Sequence, residues 1–401
     1  MENGEWRIEN GEWGGDLGSM QGWLEVEDNT EKTVNRLLEA LLTGGIVDGL
    51  LVPLRTPDGR NVVPTLVRDP ALLARAAPLA PVLPVNGGTV LGHVTATGGL
   101  GRVGAVLRNC ELRAAVELSK VRQVLLDDVV LVGVDCLGTY GVDEYVRMVE
   151  EGVDPVAPAL AAAREGRVEP LPGTTFRPGC TMCEQPIPGA GESYPPHVTV
   201  GLLGVPNGER LWVTVRDERV GEGLAGVLGL EPAAEPPARV EAVGALVAAR
   251  TAERDRRFAA FRGRVHDPAS LLGEFATCIR CQNCMRVCPI CYCKECIFRT
   301  DVFDHPSARY WDWAGRKGGV RLPSDTLLFH VTRLLHMVHA CVGCGMCSDG
   351  CPVGIPVADV FRAVGQAVQA RFGYVPGRDP AEEMVIATFR EDELGELGKP
   401  E

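Results

Sequence analysis

The apolar positions repeat with different periods along the chain, and the periods mark out its elements. After the polar start Asp28-Asn29-Thr30, residues Val34, Leu37, Leu38, Leu41 and Leu42 recur at helical spacing. A capped helix is therefore expected to about residue 42, ended by Gly44-Gly45. Residues 46–54 form a short apolar run that reads as a strand, and residues 66–77 read as a further helix. Asn86-Gly87-Gly88 and Gly98-Gly99-Leu100-Gly101 read as a glycine-rich connection. Residues 102–107 and 128–134 read as buried strands, with helical spacing over 111–120 between them. Strands that alternate with helices predict parallel pairing. Residues 197–203 and 210–215 look like strands of a second sheet region. Residues 230–237 look like a linker, and 240–262 like a long helix whose charged stretch 250–257 reads as a solvated face. Further helices are expected at 329–338 and 357–371.

Composition narrows the class. A chain of 401 residues, 45% hydrophobic and 23% charged, is that of a globular protein with two to three domains. No apolar run approaches the ~20 residues of a membrane span. The net charge of −13 argues against nucleic acid and anionic membranes as partners. At the start, Glu-Asn-Gly-Glu-Trp occurs at 2–6 and again at 9–13, which reads as a tail or as an upstream start with Met20 the true one. The expected organisation is a disordered tail over 1–24, an α/β domain with a mixed sheet over 25–230, and a linker and helix over 231–268. An α+β or helical ferredoxin-like domain over 269–372, with an insertion at 297–328, and a C-terminal tail over 373–401 complete it.

The cysteines carry the chemistry. Eleven of the fifteen lie between residues 278 and 356. Cys278-Ile-Arg-Cys281-Gln-Asn-Cys284-Met-Arg-Val-Cys288-Pro289 and Cys341-Val-Gly-Cys344-Gly-Met-Cys347-Ser-Asp-Gly-Cys351-Pro352 are both C-x2-C-x2-C-x3-C-P runs. Bacterial-type ferredoxins hold [4Fe-4S] clusters with this spacing, the fourth cysteine of each run binding the other cluster. Cys278, Cys281, Cys284 and Cys351 are thus expected around one cluster, and Cys341, Cys344, Cys347 and Cys288 around a second. Thiolates are soft anionic donors that match iron and sulfide. Structural zinc favours C-x2-C pairs at longer separations, and disulfides favour small secreted domains, so both fit less well. So many free thiols predict a reducing compartment, the cytoplasm.

Four more cysteines pose a separate question. Cys110 and Cys136 each follow an expected strand, at the sheet edge where ligands gather, and Cys180-Thr-Met-Cys183 lies in a Gly/Pro-rich loop. Singly, Cys110 and Cys136 read as small buried hydrophobes. Together with a C-x2-C pair they make four thiols, enough for a third [4Fe-4S] cluster, with zinc the alternative. Cys291, Cys293 and Cys296 are too few for a cubane alone and stand as bystanders, alternative ligands or ligands of another centre. Tyr310, Trp311 and Trp313 are expected in the core, and His336 and His339 on a helix surface.

The run from Cys288 to Cys296, the segment from Phe329 to Met337 and the second cysteine motif resemble the coenzyme F-420 hydrogenase/dehydrogenase beta-subunit family, most of all its formate dehydrogenase branch with a C-terminal dicluster ferredoxin domain. Gly45-Ile-Val-Asp-Gly49, Arg108-Asn-Cys110-Glu-Leu, Val132-Gly-Val-Asp-Cys136 and Arg177-Pro-Gly-Cys180-Thr-Met-Cys183 look like further family segments. The resemblance implies an iron–sulfur flavoprotein subunit in which FAD exchanges hydride with a deazaflavin and clusters exchange single electrons with a partner. Where the family opens its first helix with Gly-Gly near the flavin, this chain has Asp28-Asn29-Thr30-Glu31-Lys32, large and acidic groups that block close backbone approach and repel phosphate. Gly87-Gly88 and Gly98-Gly99 remain as candidate phosphate contacts. Two functions follow. One is an electron-transfer subunit whose catalytic redox partner does the chemistry. The alternative is an FAD-dependent oxidoreductase that itself uses deazaflavin F-420 or a nicotinamide coenzyme.

Overall fold

The computed structural model describes residues 20–96, 98–303, 306–318 and 325–389. Its elements run β1 (Met20–Glu25), α1 (Thr30–Thr43), β2 (Gly49–Arg55), β3 (Val62–Val67), α2 (Gly87–Ala96), β4 (Val103–Leu107), α3 (Asn109–Lys120) and β5 (Val129–Val134). Then come α4 (Val142–Glu150), α5 (Val156–Arg164), the single turn α6 (Pro178–Thr181), β6 (Val198–Gly201), β7 (Arg210–Val215), α7 (Glu218–Leu228) and β8 (Glu231–Pro232). The C-terminal third adds α8 (Pro237–Arg264), α9 (Pro268–Glu274), α10 (Asn283–Arg286), α11 (Ser307–Lys317), α12 (Thr326–Met337), α13 (Met346–Asp349) and α14 (Val357–Phe372). Among the described residues no helix is long and apolar enough to cross a membrane.

All eight strands form one mixed sheet in the order β3-β2-β4-β5-β6-β7-β1-β8. Its centre, β2-β4-β5-β6, is parallel, and the flanking pairs are antiparallel. β4 and β5 are buried on both faces, which is why each reads as an unbroken apolar run. The α1 helix covers one face with Val34, Leu37, Leu38 and Leu41, and α3 covers the other with Leu112, Ala115 and Leu118. At its start Asn29 accepts a hydrogen bond from the Lys32 amide at 2.9 Å, the expected cap.

Several expectations are corrected. Residues 20–24 belong not to a tail but to β1, which is pinned by β7 on one side and by β8 on the other. Gly22 permits that fit, since a Cβ there would lie 2.1 Å from the Glu231 carbonyl oxygen. Residues 1–19 of the expected tail lie outside the described residues. The expected helix over 66–77 is instead the end of β3 and a 3-10 turn at Pro70–Arg75, because Pro70 stops any helix running in from β3. The glycine pair at 87–88 starts α2 rather than a loop. A Cβ on Gly88 would lie 2.7 Å from the Glu111 carbonyl oxygen, so the glycines let α2 approach α3 closely.

Among the described residues there is no second sheet region: β6 and β7 belong to the same sheet. Residues 374–377 of the expected C-terminal tail are packed on α3. Arg113 Nε donates to the Pro376 carbonyl oxygen at 2.7 Å, and the Gly377 amide to Glu117 at 2.7 Å. His339 is buried rather than on a surface, because the turn after α12 folds it towards Tyr374. Trp311 is 71% exposed and α11 buries no residue, so its aromatic residues are not core. Arg250 is buried, against the expected solvated face, because α8 crosses the end of the sheet where the thiols of Cys136 and Cys183 lie.

Candidate metal centres

The two ferredoxin-type motifs fold alike. In each, the second and fourth residues after the first cysteine adopt positive φ: Arg280 and Gln282 in the first, Gly343 and Gly345 in the second. Each loop then enters a one-turn helix, α10 or α13, and returns to a cysteine followed by proline. The repeated left-handed turns curl the chain around a concave interior and aim backbone amides inward. The Arg280 amide lies 3.4 Å from Cys278 Sγ, and the Ile355 amide 3.4 Å from Cys351 Sγ.

The thiols group across the motifs as well as within them. Those of Cys281 and Cys351 face Cys278, and Cys278, Cys281 and Cys351 all face Cys284. Burial pushes the Cys284 thiol up to about 11, with the Arg333 guanidinium pulling it back. In the second group Cys288, Cys341, Cys344 and Cys347 line one cavity with Pro289, Met337 and Arg362. Burial raises the Cys288 and Cys347 thiols far above the ordinary range. Thiols so placed become thiolates only if cations compensate the buried charge.

The third group is drawn from three separate segments. Cys110 stands in the first turn of α3 after β4, Cys136 follows β5, and Cys180 and Cys183 sit on and just past α6. All four line one cavity at the carboxyl edge of the parallel strands, together with Arg108, Arg177, Arg250 and Cys344. Burial pushes Cys136 up to about 11 and Cys110 well above the usual thiol range. Thr139 Oγ1 lies 3.1 Å from Cys180 Sγ. Cys344 is the junction, since it lines this cavity and the second one. A Cβ on Gly179 would lie 2.8 Å from Gly345 Cα, so the two loops touch backbone to backbone.

Among the described residues no three Cys, His, Asp or Glu side chains converge as a single ion requires. That disfavours mononuclear zinc, whose four ligands meet at one point. In a cubane each thiolate binds a different iron corner, so the sulfurs surround a volume; the second and third groups each line a cavity. Cys291, Cys293 and Cys296 form no such enclosure. Cys291 lies against Arg333, Cys296 Sγ is 3.9 Å from Met285 Sδ, and Cys293 is exposed.

Residue spacing left the polar shell unassigned. From α12, His330 Nε2 lies 3.4 Å from Cys278 Sγ, and its ring stacks on Phe275 with centroids 3.8 Å apart. One turn on, Arg333 Nη1 donates to Cys284 Sγ at 3.2 Å. Arg177 Nε donates to Asp349 at 2.6 Å, and its Nη2 to the Cys344 carbonyl oxygen at 3.0 Å. Arg362 Nη1 donates to the Met182 carbonyl oxygen at 2.7 Å and pairs with Glu184. The available signal was a charged residue within an apolar helical stripe, as in Phe329-His330 to Arg333 to Met337.

A cleft of about 710 Å³ opens beside the second group, between α8, α14 and the 184–192 segment. Its walls include Arg113, Arg254, Arg362, Arg378 and Cys341. The glycines considered for phosphate lie elsewhere. The Gly87 amide is taken by Glu111 at 2.8 Å and that of Gly88 by Asn86 at 3.0 Å.

Residues 274–355 match the model of the 4Fe-4S dicluster domain. The F420-dependent formate dehydrogenase subunit beta of Methanocaldococcus jannaschii is 25% identical over 374 residues, covering 86% of this chain and 91% of the relative. The chain is a homologue of these beta subunits. A second, the F420-dependent formate dehydrogenase 1 subunit beta of Methanococcus maripaludis, is 26% identical over 379 residues, covering 86% and 90%. A chain from the xenon-derivatised F420-reducing [NiFe] hydrogenase complex of Methanosarcina barkeri aligns at 17% identity and TM-score 0.45, covering 61% of this chain and 92% of that one. The resemblance expected from the cysteine runs thus extends across most of this beta-subunit homologue. The matched dicluster stretch contains both cysteine motifs.

Proposed function

We propose that the chain is an iron–sulfur electron-transfer subunit of a cytoplasmic oxidoreductase complex, passing electrons to or from a catalytic redox subunit. The carrying observation is that the second and third thiol groups share Cys344 in their walls, while Cys284 of the first lies within electrostatic reach of Cys347 of the second. Cys278, Cys281, Cys284 and Cys351 would hold one [4Fe-4S] cluster and Cys288, Cys341, Cys344 and Cys347 another. Cys110, Cys136, Cys180 and Cys183 would hold a third at the sheet edge. When bound, such clusters take up and release one electron each. The protein's own residues exclude water from the thiols and set arginines against them. Exposed Cys281 marks the first group as the end nearest a partner.

Anaerobic purification and iron analysis test this. About twelve irons per chain are expected, falling to about eight in the Cys180→Ser/Cys183→Ser double variant. No iron after anaerobic reconstitution overturns the reading, and an unchanged count in the double variant removes the third cluster.

The large cleft favours a second component, FAD, with deazaflavin F-420 or a nicotinamide coenzyme as its exchange partner. Its volume suits a dinucleotide-sized ligand, and its four arginines outnumber the two carboxylates on its wall, Glu184 and Glu192, which leaves net positive charge for a diphosphate. A flavin would convert between two-electron and one-electron chemistry there. Gly244 lines the cleft, and a Cβ on it meets nothing within 4 Å. The Gly244→Trp variant is expected to lose bound flavin and keep its iron. A wild-type protein without flavin after anaerobic purification removes this component and leaves the electron-transfer role.

A further inference from the structure

Arg333 is the one guanidinium in the described residues that donates to a motif cysteine's sulfur. It is buried on α12 and reaches into the space between the first two thiol groups. Its Nη1 donates to Cys284 Sγ at 3.2 Å, and its Nη2 to the Cys284 carbonyl oxygen at 3.0 Å and Met337 Sδ at 3.7 Å. Cys284 belongs to the first group. On the other side the thiols of Cys288 and Cys347, both in the second group, lie within its electrostatic reach, as does Cys291, which belongs to neither group. Its guanidinium is held over the Phe361 ring at 4.7 Å and near the Phe329 ring at 5.6 Å. No carboxylate pairs with it among the described residues. That is a costly placement for a charge unless the anions it serves are the thiolates themselves.

We propose that Arg333 is a positioning residue that raises the reduction potentials of the first and second clusters together, the first more than the second. This rests on the cluster assignment above. Reduction adds one electron to a cluster already surrounded by four thiolates, and no bond in the chain breaks. The added negative charge is stabilised by a nearby cation and by an N–H donated to a ligand sulfur, which raises the potential. The first cluster receives both effects through Cys284, the second only the charge. The third, walled by Arg177 and Arg250 instead, receives neither. Arg333 thereby draws the two potentials of the dicluster domain upward relative to the third site.

The test is a dithionite redox titration followed by electron paramagnetic resonance, on full-length protein purified anaerobically, comparing wild type with Arg333→Gln and Arg333→Lys. In Arg333→Gln the first cluster is expected to fall by at least tenfold in its one-electron equilibrium, about 59 mV. The second falls by less and the third does not move. Arg333→Lys keeps the charge without the planar fork, so it restores the second cluster more fully than the first. Unchanged midpoints with full iron content overturn the inference and leave the cluster assignment standing. Wild-type protein without clusters overturns both. As a check on the hydrogen bond itself, protein labelled with 15N only in the arginine guanidinium is expected to show a nitrogen hyperfine coupling to the reduced first cluster that Arg333→Gln abolishes. Its absence overturns the proposed hydrogen bond.

Discussion

At the scale of single residues, packing around the thiols decides what each position tolerates. Gly345 combines positive φ with a backbone neighbour: a Cβ there would lie 2.8 Å from Gly179 Cα. The Gly345→Ala variant is therefore expected to destabilise the protein by about 1–3 kcal/mol and to loosen the contact between the second and third groups. Thermal denaturation of the holoprotein, read with iron content, checks it; an unchanged melting temperature refutes it. Gln282 holds the equivalent left-handed position in the first motif without glycine, and its Nε2 donates to the Phe298 carbonyl oxygen at 2.7 Å. A side chain is tolerated there because the 297–303 segment receives it, whereas Gly345 has only the Gly179 backbone beside it.

At the scale of elements, β5 and the entry to β6 are joined by a histidine. The Leu131 amide donates to His197 Nδ1 at 2.9 Å, which requires that nitrogen to be unprotonated. Burial lowers the His197 pKa below 6.5, against a smaller pull upward from Asp217. The unfolded chain then binds a proton that the folded chain refuses. Stability from this group is complete above about pH 6.5 and is lost as pH falls from there towards the folded pKa. Denaturant titrations at a series of pH values should show this acid limb, and His197→Gln should flatten it. Equal pH slopes in both proteins would discard the assignment. Helix α12 shows the other side of element-level design. Its inner face carries His330, Arg333 and Met337 at helical spacing among the thiols, while Leu328 and Leu335 face outward.

At the scale of the whole molecule, arginines fasten the cysteine-rich third to the sheet domain. Arg362 on α14 reaches Met182 and Glu184, Arg177 reaches Asp349 and Cys344, and Arg113 on α3 donates to the Val342 carbonyl oxygen at 3.0 Å. These contacts predict one cooperative unfolding transition for the two parts. Arg362→Met removes the shorter of the two ion pairs of Glu184, leaving Arg254 at 3.8 Å, and is expected to lower stability by about 1–3 kcal/mol. Calorimetry decides: separate transitions in the wild type would contradict the coupling. The chain end adds a second fastening. Tyr374 OH donates to Glu117 at 2.6 Å and accepts from Lys120 Nζ at 2.7 Å. Tyr374→Phe removes both hydrogen bonds while Glu117 keeps Lys120 and the Gly377 amide, and should destabilise by about 1 kcal/mol in urea titration.

The sequence by itself determined the two cysteine loops, because ligand spacing is local and a C-x2-C-x2-C-x3-C-P run can wrap only a narrow range of objects. It also determined the central strands and α1, α3, α8, α12 and α14, whose apolar periods are long and regular. Tertiary structure alone decided the rest. Whether Cys110, Cys136, Cys180 and Cys183 meet depends on which strands are neighbours in the sheet, and no local pattern encodes that. β1 is a strand only because β7 supplies its pairing, β8 only because β1 does, and α2 exists because its glycines fit α3. Spacing alone assigned no role to Arg177, Arg333 and Arg362. They became the inner shell of the thiol groups because their partners come from distant segments, and a buried cation is stable only where such partners assemble.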